Sequence, residues 1–273
     1  MPLPHCNRPT VDIVKWDPAQ YLRRADERGR PVLELVDRIG AERPRRVVDL
    51  GCGPGNQTAT LTERWPDAEI VGIDSSAEMI DLATATESTV SPRLTFQLGD
   101  IDGWRPDDRT DVVISNAALQ WVPTHRELIR SWAAALPSGG WLGFQVPGNL
   151  GAPAYRRLRE LGESDRWAGA LRDGVLRQFD RVDNPSGYAS LLLDCGWIPD
   201  AWETTYVHLL SGTDPVLDWV RGTALRPVLA ALPPERAEDF ESEYAAMLRQ
   251  EYPARPEGTL FPFRRIFCVA RKP

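Results

Sequence analysis

Short apolar segments alternate with helical segments along the first half of the chain, and this alternation constrains the fold more than any other feature. The apolar segments read RVVDLG, EIVGIDSS, LTFQLGD, DVVISNAALQWV and GGWLGFQVP. Segments typical of amphipathic helices, such as NQTATLTERW and AEMIDLATAT, lie between them. Strands that are joined through helices pair in parallel, with right-handed crossovers. The sequence therefore predicts an α/β fold with a doubly wound, mostly parallel sheet, whose ligands bind at the carboxyl ends of the strands.

The second half of the chain is expected to add helices and the last two of seven strands. AWETTYVHLL and RRIFCVARKP are predicted to be those strands, and PSGYASLLLDCGW is predicted to be a helix that ends at Gly196. Asp214 is expected to cap one helix over PVLDWVRGTALRPVLAAL. The prolines at 233 and 234 end this helix before a second one, ERAEDFESEYAAMLRQEY. We expect this helical pair to be an insertion that folds over the sheet as a lid.

The whole chain, residues 1–273, is expected to form one domain. In its first predicted helix Leu33, Val36 and Ile39 have helical spacing, and Gly40 ends the pattern. The predicted parts of the domain are an N-terminal helical segment, a ligand-binding core and two helical segments over the substrate, at residues 16–40, 45–147, 151–182 and 214–252.

Composition and charge exclude several classes of protein. A net charge of −7 disfavours a nucleic-acid-binding surface, which has to be basic. No apolar run approaches the length of a membrane span, and the N-terminal sequence has no apolar region typical of a secretory signal, so a cytoplasmic location is expected. No metal site is expected, because the cysteines and histidines are too scattered for a zinc pattern: Cys6, Cys52, Cys195, Cys268, His5, His125 and His208.

An aspartate directly precedes a glycine-rich loop after the first predicted strand, in the sequence VVDLGCGPGN. Gly51, Gly53 and Gly55 allow a ligand to approach the backbone closely. Such loops commonly bind phosphate, but the carboxylate of Asp49 would repel phosphate and attract a cation. The predicted ligand is S-adenosyl-L-methionine, which carries an ammonium and a sulfonium group and no phosphate.

The ends of the next three predicted strands carry side chains that suit the rest of this cofactor. Asp74, about twenty residues after the loop, can accept hydrogen bonds from ribose hydroxyls. Asp100 can accept one from the adenine amino group, with Met79 and Ile101 against the ring. Taken singly, Asp74 also suits a helix cap and Met79 a core position, so the prediction depends on the order of these features along the strands. The other predicted cofactor-binding residues are Ser75, Asn116, Gln120 and Trp121.

The segments VVDLGCGPGNQTATL, GIDSSAEMI, LGDI and SNAALQWV together resemble the class I (Rossmann-like) S-adenosylmethionine-dependent methyltransferases. The flanking segments WDPAQYLRRADERGRPVLEL, WETTYVHLL, DWVRGTALRPVL and FRRIFCVARK narrow the resemblance to the trans-aconitate 2-methyltransferase family, over residues 16–272. The resemblance implies methyl transfer to a carboxylate of trans-aconitate, which gives a monomethyl ester and S-adenosyl-L-homocysteine. It also implies a monomeric cytoplasmic enzyme that needs no metal. The stretch 151–182 is not diagnostic of the acceptor.

A carboxylate acceptor requires positioning rather than a general base, because it is already ionised near pH 7. We therefore expect no catalytic acid or base, and the absence of a conspicuous His–Asp pair agrees with this. A polycarboxylate also needs donors that replace water, and the arginine guanidinium binds carboxylates through two parallel hydrogen bonds. The predicted substrate-binding residues are Tyr21, Trp121, Tyr206, His208, Arg226 and Arg265, with Arg24 and Arg28 as weaker candidates.

Three alternative functions remain open at this stage. The acceptor of the methyl group can be another small acid, a phenol or an amine, although a hydroxyl acceptor would need a base. An NAD(P)-dependent oxidoreductase is disfavoured by the position of Asp49 beside the glycine loop. A non-catalytic protein that binds S-adenosylmethionine is the third alternative. Methylation of nucleic-acid bases is disfavoured, because SNAALQWV lacks the two prolines common at that position in such enzymes.

Overall fold

A computed structural model of the chain describes residues 25–171, 175–176 and 182–273, with only the backbone described at 25–28 and 86–90. The strands are β1 (Arg46–Leu50), β2 (Glu69–Asp74), β3 (Leu94–Leu98), β4 (Thr110–Asn116), β5 (Trp141–Pro147), β6 (Ile198–Leu210) and β7 (Thr259–Arg271). The helices are α1 (Ala25–Asp37), α2 (Asn56–Arg64), α3 (Ala77–Val90), α4 (His125–Ala135), α5 (Pro153–Gly162), α6 (Pro185–Asp194), α7 (Pro215–Arg221), α8 (Arg226–Ala230) and α9 (Pro234–Glu251). A short 3-10 helix spans Leu119–Trp121.

The seven strands of the described residues form one sheet in the order β3-β2-β1-β4-β5-β7-β6. The first five strands pair in parallel, whereas β7 lies antiparallel to both β5 and β6. Strand order reverses between β1 and β4, and the crevice at such a reversal is where open α/β sheets bind their ligands. The predicted α/β fold and its mostly parallel sheet are confirmed.

Buried apolar residues explain why the central strands form. Val47, Val48 and Leu50 of β1 are each at most 2% exposed, as expected for a parallel strand that is covered on both faces. One face of the sheet packs in a cluster with Trp132 of α4 and Leu191 of α6. The other face packs in a second cluster against helices α1 and α2.

A third apolar cluster lies in what we call the cap, which consists of α5, the turns that follow it to residue 171, and α7, α8 and α9. The rings of Trp167 and Phe240 meet edge to face, 5.0 Å between centroids. The hydroxyl of Tyr244 donates to the carbonyl of Ala154 at 2.9 Å, and the hydroxyl of Tyr252 accepts from the amide of Ala154 at 3.1 Å. These bonds attach α5 to the long helix α9 and to the residue that follows it.

The prediction of one continuous helix after Asp214 is wrong. The chain forms two short helices there, α7 and α8, with a turn between them at residues 222–225. The amides of Thr223 and Leu225 both bond the carbonyl of Val220, which closes the turn. Gly222 has a low helix propensity, and Pro227 cannot donate the hydrogen bond that a continuous helix needs. Asp214 does not cap the helix with its side chain, since its carboxylate pairs with Arg249 at 2.7 Å.

The structure also differs from the prediction in the buried face of α1 and in the start of β7. Leu33 of α1 is 56% exposed, and the neighbours Val32 and Leu35 supply the buried face together with the predicted Val36 and Ile39. Strand β7 begins at Thr259, several residues before the predicted strand, and pairs along its full length with β6. In the described part of the chain, no helix combines the length and apolar character that crossing a membrane requires.

Candidate functional site

The predicted glycine loop lies at the carboxyl end of β1, where the strand order reverses. The hydroxyl of Ser115 on β4 donates to the carbonyl of Leu50 on β1 at 2.8 Å, which fixes the two strand ends against each other. The amides of Gly51 and Cys52 both bond the carbonyl of Ile73 on β2, at 2.8 and 3.0 Å. The first half of the loop is therefore held by the strands on either side of it.

The three glycines of the loop have positive φ angles but different surroundings. A Cβ atom at Gly51 would lie 2.3 Å from the Cβ of Ala118, and one at Gly55 would lie 2.5 Å from the ring of Phe96. A Cβ at Gly53 would meet nothing within 4 Å. Gly51 and Gly55 are thus required by packing inside the protein, whereas Gly53 borders open space beside the loop.

Asp49 is 7% exposed and accepts a hydrogen bond of 2.6 Å from the hydroxyl of Thr58 on α2. Burial raises the pKa of the Asp49 carboxyl to about 6, and the negative charge of Asp74 adds to this effect, while the bond from Thr58 opposes it. A buried carboxylate of this kind favours the approach of a cation, which would stabilise its charged form.

Asp74 connects the loop to the end of β2. One carboxylate oxygen of Asp74 accepts from the amide of Gly53 and the other from the amide of Ser76, both at 2.9 Å. Ser76, rather than Asp74, caps α3 by accepting from the amide of Met79. Ser75 is exposed at the same strand end.

The residues predicted to contact adenine lie at the ends of β2 and β3. Met79 is 3% exposed, and Ile101 is 9% exposed with its side chain near Gly51. Asp100 is exposed, and one of its oxygens accepts from the amide of Asp102 at 3.0 Å. Ile101 therefore offers an apolar side chain beside the loop, Met79 is buried in the first turn of α3, and Asp100 is exposed after β3.

The end of β4 carries a strained residue and two buried acceptor atoms. Ala117 has a φ of 54°, in the left-handed region that side chains other than hydrogen disfavour, and strain of this kind clusters at functional sites. Its carbonyl accepts from the side-chain amide of Gln120 at 2.6 Å. In the described part of the chain, the side-chain oxygens of Asn116 and Gln120 are buried without a hydrogen-bond partner. Buried acceptors of this kind fit a ligand that brings its own donors.

These features together form a site that is rich in hydrogen-bond acceptors. The acidic side chains of Asp49 and Asp74 flank the loop, and the amide of Gly53 already donates to Asp74. The residues therefore fit a compact ligand with cationic and hydroxyl donors, as the sequence predicts. Among the described residues, no group of three or more His, Cys, Asp or Glu side chains is placed to hold a metal ion.

A second, small cleft of about 40 Å³ adjoins this site. Gln120 and Trp121 line it from the end of β4, which makes them the boundary between the two regions. Sequence reasoning missed most of its other residues, which come from the end of β5, from α5, from the turn between α7 and α8, and from β7. They include Pro147, Asn149, Tyr155, Thr223 and Phe263.

Arg265 lies on the sheet next to this cleft and is 4% exposed. Its guanidinium donates to the side-chain oxygen of Gln145 on β5 at 2.9 Å and lies over the ring of Phe263, 4.9 Å from the centroid. Burial raises the pKa of Tyr155 to about 12, while a hydrogen bond with Thr223 and the charge of Arg265 oppose the shift. The structure thus places a buried cation and a phenol that stays protonated beside one cleft.

Two other predicted substrate-binding residues lie on β6 beside Phe263: Tyr206 is its register partner, and the ring of His208 lies 6.4 Å from its ring centroid. The hydroxyl of Tyr206 donates to Glu34 of α1, and His208 packs among aromatic rings, 4.8 Å from the ring centroid of Trp219. Arg226 is half-buried at the first position of α8. Tyr21 and Arg24 lie outside the described residues, and only the backbone is described at Arg28.

A single sequence signal could have pointed to Tyr155. It follows β5 after a short loop, and residues that follow the carboxyl end of a parallel strand lie at the ligand-binding edge of the sheet. The spacing of apolar residues around Tyr155 predicts a helix but does not indicate that Tyr155 faces a ligand.

Comparisons with known proteins agree with this geometry. A family model described as a methyltransferase domain matches residues 47–140. A protein of Rhodococcus jostii named trans-aconitate 2-methyltransferase is 52% identical over 94% of this chain and 99% of its own length. A protein of the same name from Streptomyces avermitilis is 49% identical over 95% of this chain and 98% of its own. The solved structure of the YcgJ protein from Bacillus subtilis is similar in fold, with a TM-score of 0.60 at 16% identity, over 89% of this chain and 98% of that one.

Proposed function

The chain belongs to the trans-aconitate 2-methyltransferase family, and we propose that it transfers the methyl group of S-adenosyl-L-methionine to a carboxylate oxygen of trans-aconitate. The products are the monomethyl ester and S-adenosyl-L-homocysteine. The observation that carries this proposal is the identity of about half of all residues with proteins of this name, over nearly the full length of both chains.

The acceptor-rich site at the ends of β1, β2 and β4 supports the cofactor. When bound, S-adenosylmethionine supplies a methyl group on a positively charged sulfur, which a carboxylate oxygen can accept. We propose that Asp49 and Asp74 hold its cationic and hydroxyl donors, and that Met79 and Ile101 contact its adenine ring. The buried oxygens of Asn116 and Gln120 are acceptors for further donors of the cofactor. Gly53 leaves the room that this approach requires.

The cleft next to Gln120 and Trp121 supports the acceptor. We propose that Arg265 provides the positive charge for one substrate carboxylate, with Arg226 and the residues of the cap closing over the other end. Because the reacting carboxylate is already ionised, the protein has to orient it and to remove water from it. Orientation of two reactants can supply roughly 7–11 kcal/mol of the barrier. Apolar walls such as Pro147 and Phe263 exclude water from the cleft.

We propose further that the enzyme is a cytoplasmic monomer that uses no metal ion and binds no nucleic acid. The net charge of −7 supports the absence of nucleic-acid binding, because a negatively charged protein repels the phosphate backbone. Sedimentation of the purified protein tests the oligomeric state, and activity that is unchanged by a chelator tests the independence from metal.

The proposed reaction is tested by incubating the purified protein with methyl-labelled S-adenosylmethionine and a panel of acceptors. The panel contains trans-aconitate, cis-aconitate, isocitrate, citrate and a simple phenol. We expect label in an ester that base hydrolyses, formed fastest from trans-aconitate. Label on the phenol alone would agree with S-adenosylmethionine as the cofactor but would contradict trans-aconitate as the acceptor. Cofactor binding without transfer to any acceptor would favour a non-catalytic binding protein.

A further inference from the structure

The short segment between β4 and α4 carries the residues that separate the proposed cofactor site from the acceptor cleft. Gln120 and Trp121 lie on its 3-10 helix and line the cleft, and the side-chain amide of Gln120 donates to the carbonyl of Ala117 at 2.6 Å. The backbone amides of Trp121 and Val122 bond carbonyls three residues earlier, at 3.0 and 3.1 Å. A single 3-10 turn has poor hydrogen-bond geometry, so contacts with neighbouring elements have to set its orientation.

His125, the first residue of α4, bonds this segment from inside the protein. It is 1% exposed, and the carbonyl oxygen of Val122 lies 3.1 Å from its backbone nitrogen and 2.9 Å from its ring Nδ1. A carbonyl can only accept, so Nδ1 carries a proton and donates to Val122. One residue thus holds the carbonyl at the end of the 3-10 turn with two donors.

Tyr188 of α6 bonds the opposite side of the His125 ring. Its hydroxyl oxygen lies 3.0 Å from Nε2, and its ring packs edge to face against Phe144 of β5, 4.9 Å between centroids. Burial raises the pKa of Tyr188, so the hydroxyl keeps its proton at neutral pH. In a neutral imidazole with its proton on Nδ1, Nε2 accepts, and Tyr188 donates to it. The tyrosine thereby selects the tautomer that bonds Val122.

The starts of α4 and α6 also meet at an ion pair, between Arg126 of α4 and Asp183, which lies just before α6. Val182, the neighbour of Asp183, lines the acceptor cleft, as Gln120 and Trp121 do. The polar contacts between these two helices therefore join two parts of the wall of that cleft. A hydrogen bond fixes direction as well as distance, whereas an apolar contact is non-directional.

We propose that His125 is a positioning residue for the methyl transfer, and that Tyr188 holds it in the required tautomer. Through the carbonyl of Val122, His125 fixes the 3-10 helix that carries Gln120 and Trp121 at the boundary between cofactor and acceptor. The inference rests on the proposed function and deepens it, because it names the residues that keep the two reactants aligned. Both side chains are buried, so they act through this segment. Misplacement of about 1 Å can lower a rate about 100-fold, so the effect should fall on kcat.

The test compares two variants of His125 whose side chains are both neutral amides. In His125→Asn the side-chain nitrogen can take the place of Nδ1 and still donate to Val122. In His125→Gln the longer side chain brings its amide to the place of Nε2, and the bond to Val122 is lost. We expect kcat for trans-aconitate to fall at least about tenfold in the glutamine variant and to stay within about threefold of wild type in the asparagine variant. KM for trans-aconitate and the affinity for S-adenosylhomocysteine should change less than about threefold in both.

A matched control separates positioning from a general loss of folded protein. Calorimetric titration with S-adenosylhomocysteine counts the intact sites, and kcat is expressed per site. Lys272→Met is the control, because the ammonium of Lys272 bonds the carbonyls of Ala133, Ala134 and Leu136 at the other end of α4. Its loss should lower the melting temperature, since these carbonyls lose their donor, while kcat per site stays at the wild-type value.

Tyr188→Phe provides the test if the glutamine variant does not fold. It keeps the ring against Phe144 and removes the hydroxyl, so His125 loses the donor that fixes its tautomer. We expect kcat per site to fall about threefold to tenfold, with KM for trans-aconitate nearly unchanged.

Two outcomes overturn the inference, and they differ from a failure of the proposed function. If the asparagine and glutamine variants of His125 have the same kcat per site, the bond to Val122 does not position the segment. If Tyr188→Phe has the wild-type kcat per site, Tyr188 does not govern the histidine. If the wild-type enzyme itself binds S-adenosylhomocysteine but does not methylate trans-aconitate, the proposed function is wrong, and this result appears before any variant is made.

Discussion

At the scale of single residues, Asp49 is the group whose protonation should control cofactor binding. Burial raises its pKa to about 6, so the carboxyl is increasingly protonated below that pH. A cationic ligand favours the carboxylate form and must displace this proton. We expect the affinity for S-adenosylmethionine to fall by up to about tenfold for each pH unit below pH 6 and to be nearly constant above pH 7.

Calorimetry in buffers of different ionisation enthalpy measures this coupling directly. Binding should release nearly one proton at pH 5 and almost none at pH 8, because Asp49 is already ionised at the higher pH. Asp49→Asn is the matched variant, since it keeps an oxygen that can accept from Thr58 but cannot titrate. Its binding should be weaker and should release no proton at either pH. Equal proton release by the variant and the wild type would show that another group titrates.

The loop glycines permit a second comparison at this scale. Alanine at Gly55 brings a methyl group 2.5 Å from the ring of Phe96, in addition to the strain of a positive φ, and should lower the free energy of unfolding by about 3 kcal/mol. Alanine at Gly53 adds the strain alone, about 1 kcal/mol, and should mainly weaken S-adenosylhomocysteine binding. Urea unfolding and calorimetry measure the two effects, and equal losses of stability would contradict the assignment.

Residue identities were predictable from the sequence only where a motif fixes the position in space. Asp49 lies near the end of a buried strand and the glycines follow that strand, so their place at the sheet's carboxyl edge follows from the fold class. Tyr155 and Gln145 could not be found in this way. Tyr155 reaches the cleft only because α5 packs against α9, and Gln145 is a polar residue inside an apolar strand, where its partner Arg265 is 120 residues away in the sequence.

At the scale of elements, Glu34 connects helix α1 to the edge strand β6. Its carboxylate accepts from Trp202 at 2.8 Å and Thr204 at 2.7 Å, and from the hydroxyl of Tyr206. Burial acts to raise the pKa of Glu34, but these three hydrogen bonds and the charge of Arg30 lower it below its ordinary value. A carboxyl whose pKa is lowered by folding stabilises the protein above its unfolded pKa, and this contribution is lost as the pH falls through the folded pKa.

We therefore expect Glu34→Gln to lower the free energy of unfolding by about 1–2 kcal/mol at pH 7. The difference from wild type should shrink as the pH falls below about 4.5, the ordinary value for a glutamate, because the carboxyl of the unfolded chain takes up its proton there while the folded carboxyl, whose pKa is lower, is still ionised. Urea unfolding across this pH range measures it. Glu42→Gln removes a carboxylate from an exposed position and is the matched control, with an expected change within about 0.5 kcal/mol. A difference that persists undiminished at low pH would contradict the role of the charge.

Helices and strands were predictable where the hydrophobic pattern agrees with residues, such as glycine, that end an element. Four of the five parallel strands are short, mostly buried runs, with β3 at the sheet edge more exposed, and α6 ends before Gly196, which has a φ of 78°. The division between α7 and α8 was missed because apolar residues continue through the turn at 222–225, where Ala224 and Leu225 are buried by the cap and not by a continuous helix. The apolar pattern was followed there although Gly222 and Pro227 already disfavour a continuous helix.

At the scale of the whole molecule, the cap has an apolar core of its own. Trp219, Phe240 and Tyr244 belong to a cluster that is separate from the two clusters on the faces of the sheet. Phe261 and Phe263 of β7 belong to the same cluster, and Phe263 also lines the acceptor cleft. Packing inside the cap should therefore affect the acceptor more than the cofactor, whose proposed residues lie at the ends of β1 to β4.

Phe240→Ala tests this separation. The side chain is fully buried against Trp167, and its loss should cost about 3–5 kcal/mol in the cap. Hydrogen exchange should become faster in α5 and α9 and stay unchanged in β1 to β5. KM for trans-aconitate should rise, while the affinity for S-adenosylhomocysteine stays within about twofold.

Val113→Ala, in the fully buried centre of β4, is the matched control in the sheet. Its hydrogen exchange should become faster in the central strands, where the cofactor is proposed to bind, and its effect on the cap should be small. If Phe240→Ala instead loosened sheet and cap equally, the two would unfold as one cooperative unit. The acceptor cleft would then depend on the stability of the whole domain, because Phe263 would transmit any loss of packing in the cap to the strands beneath it.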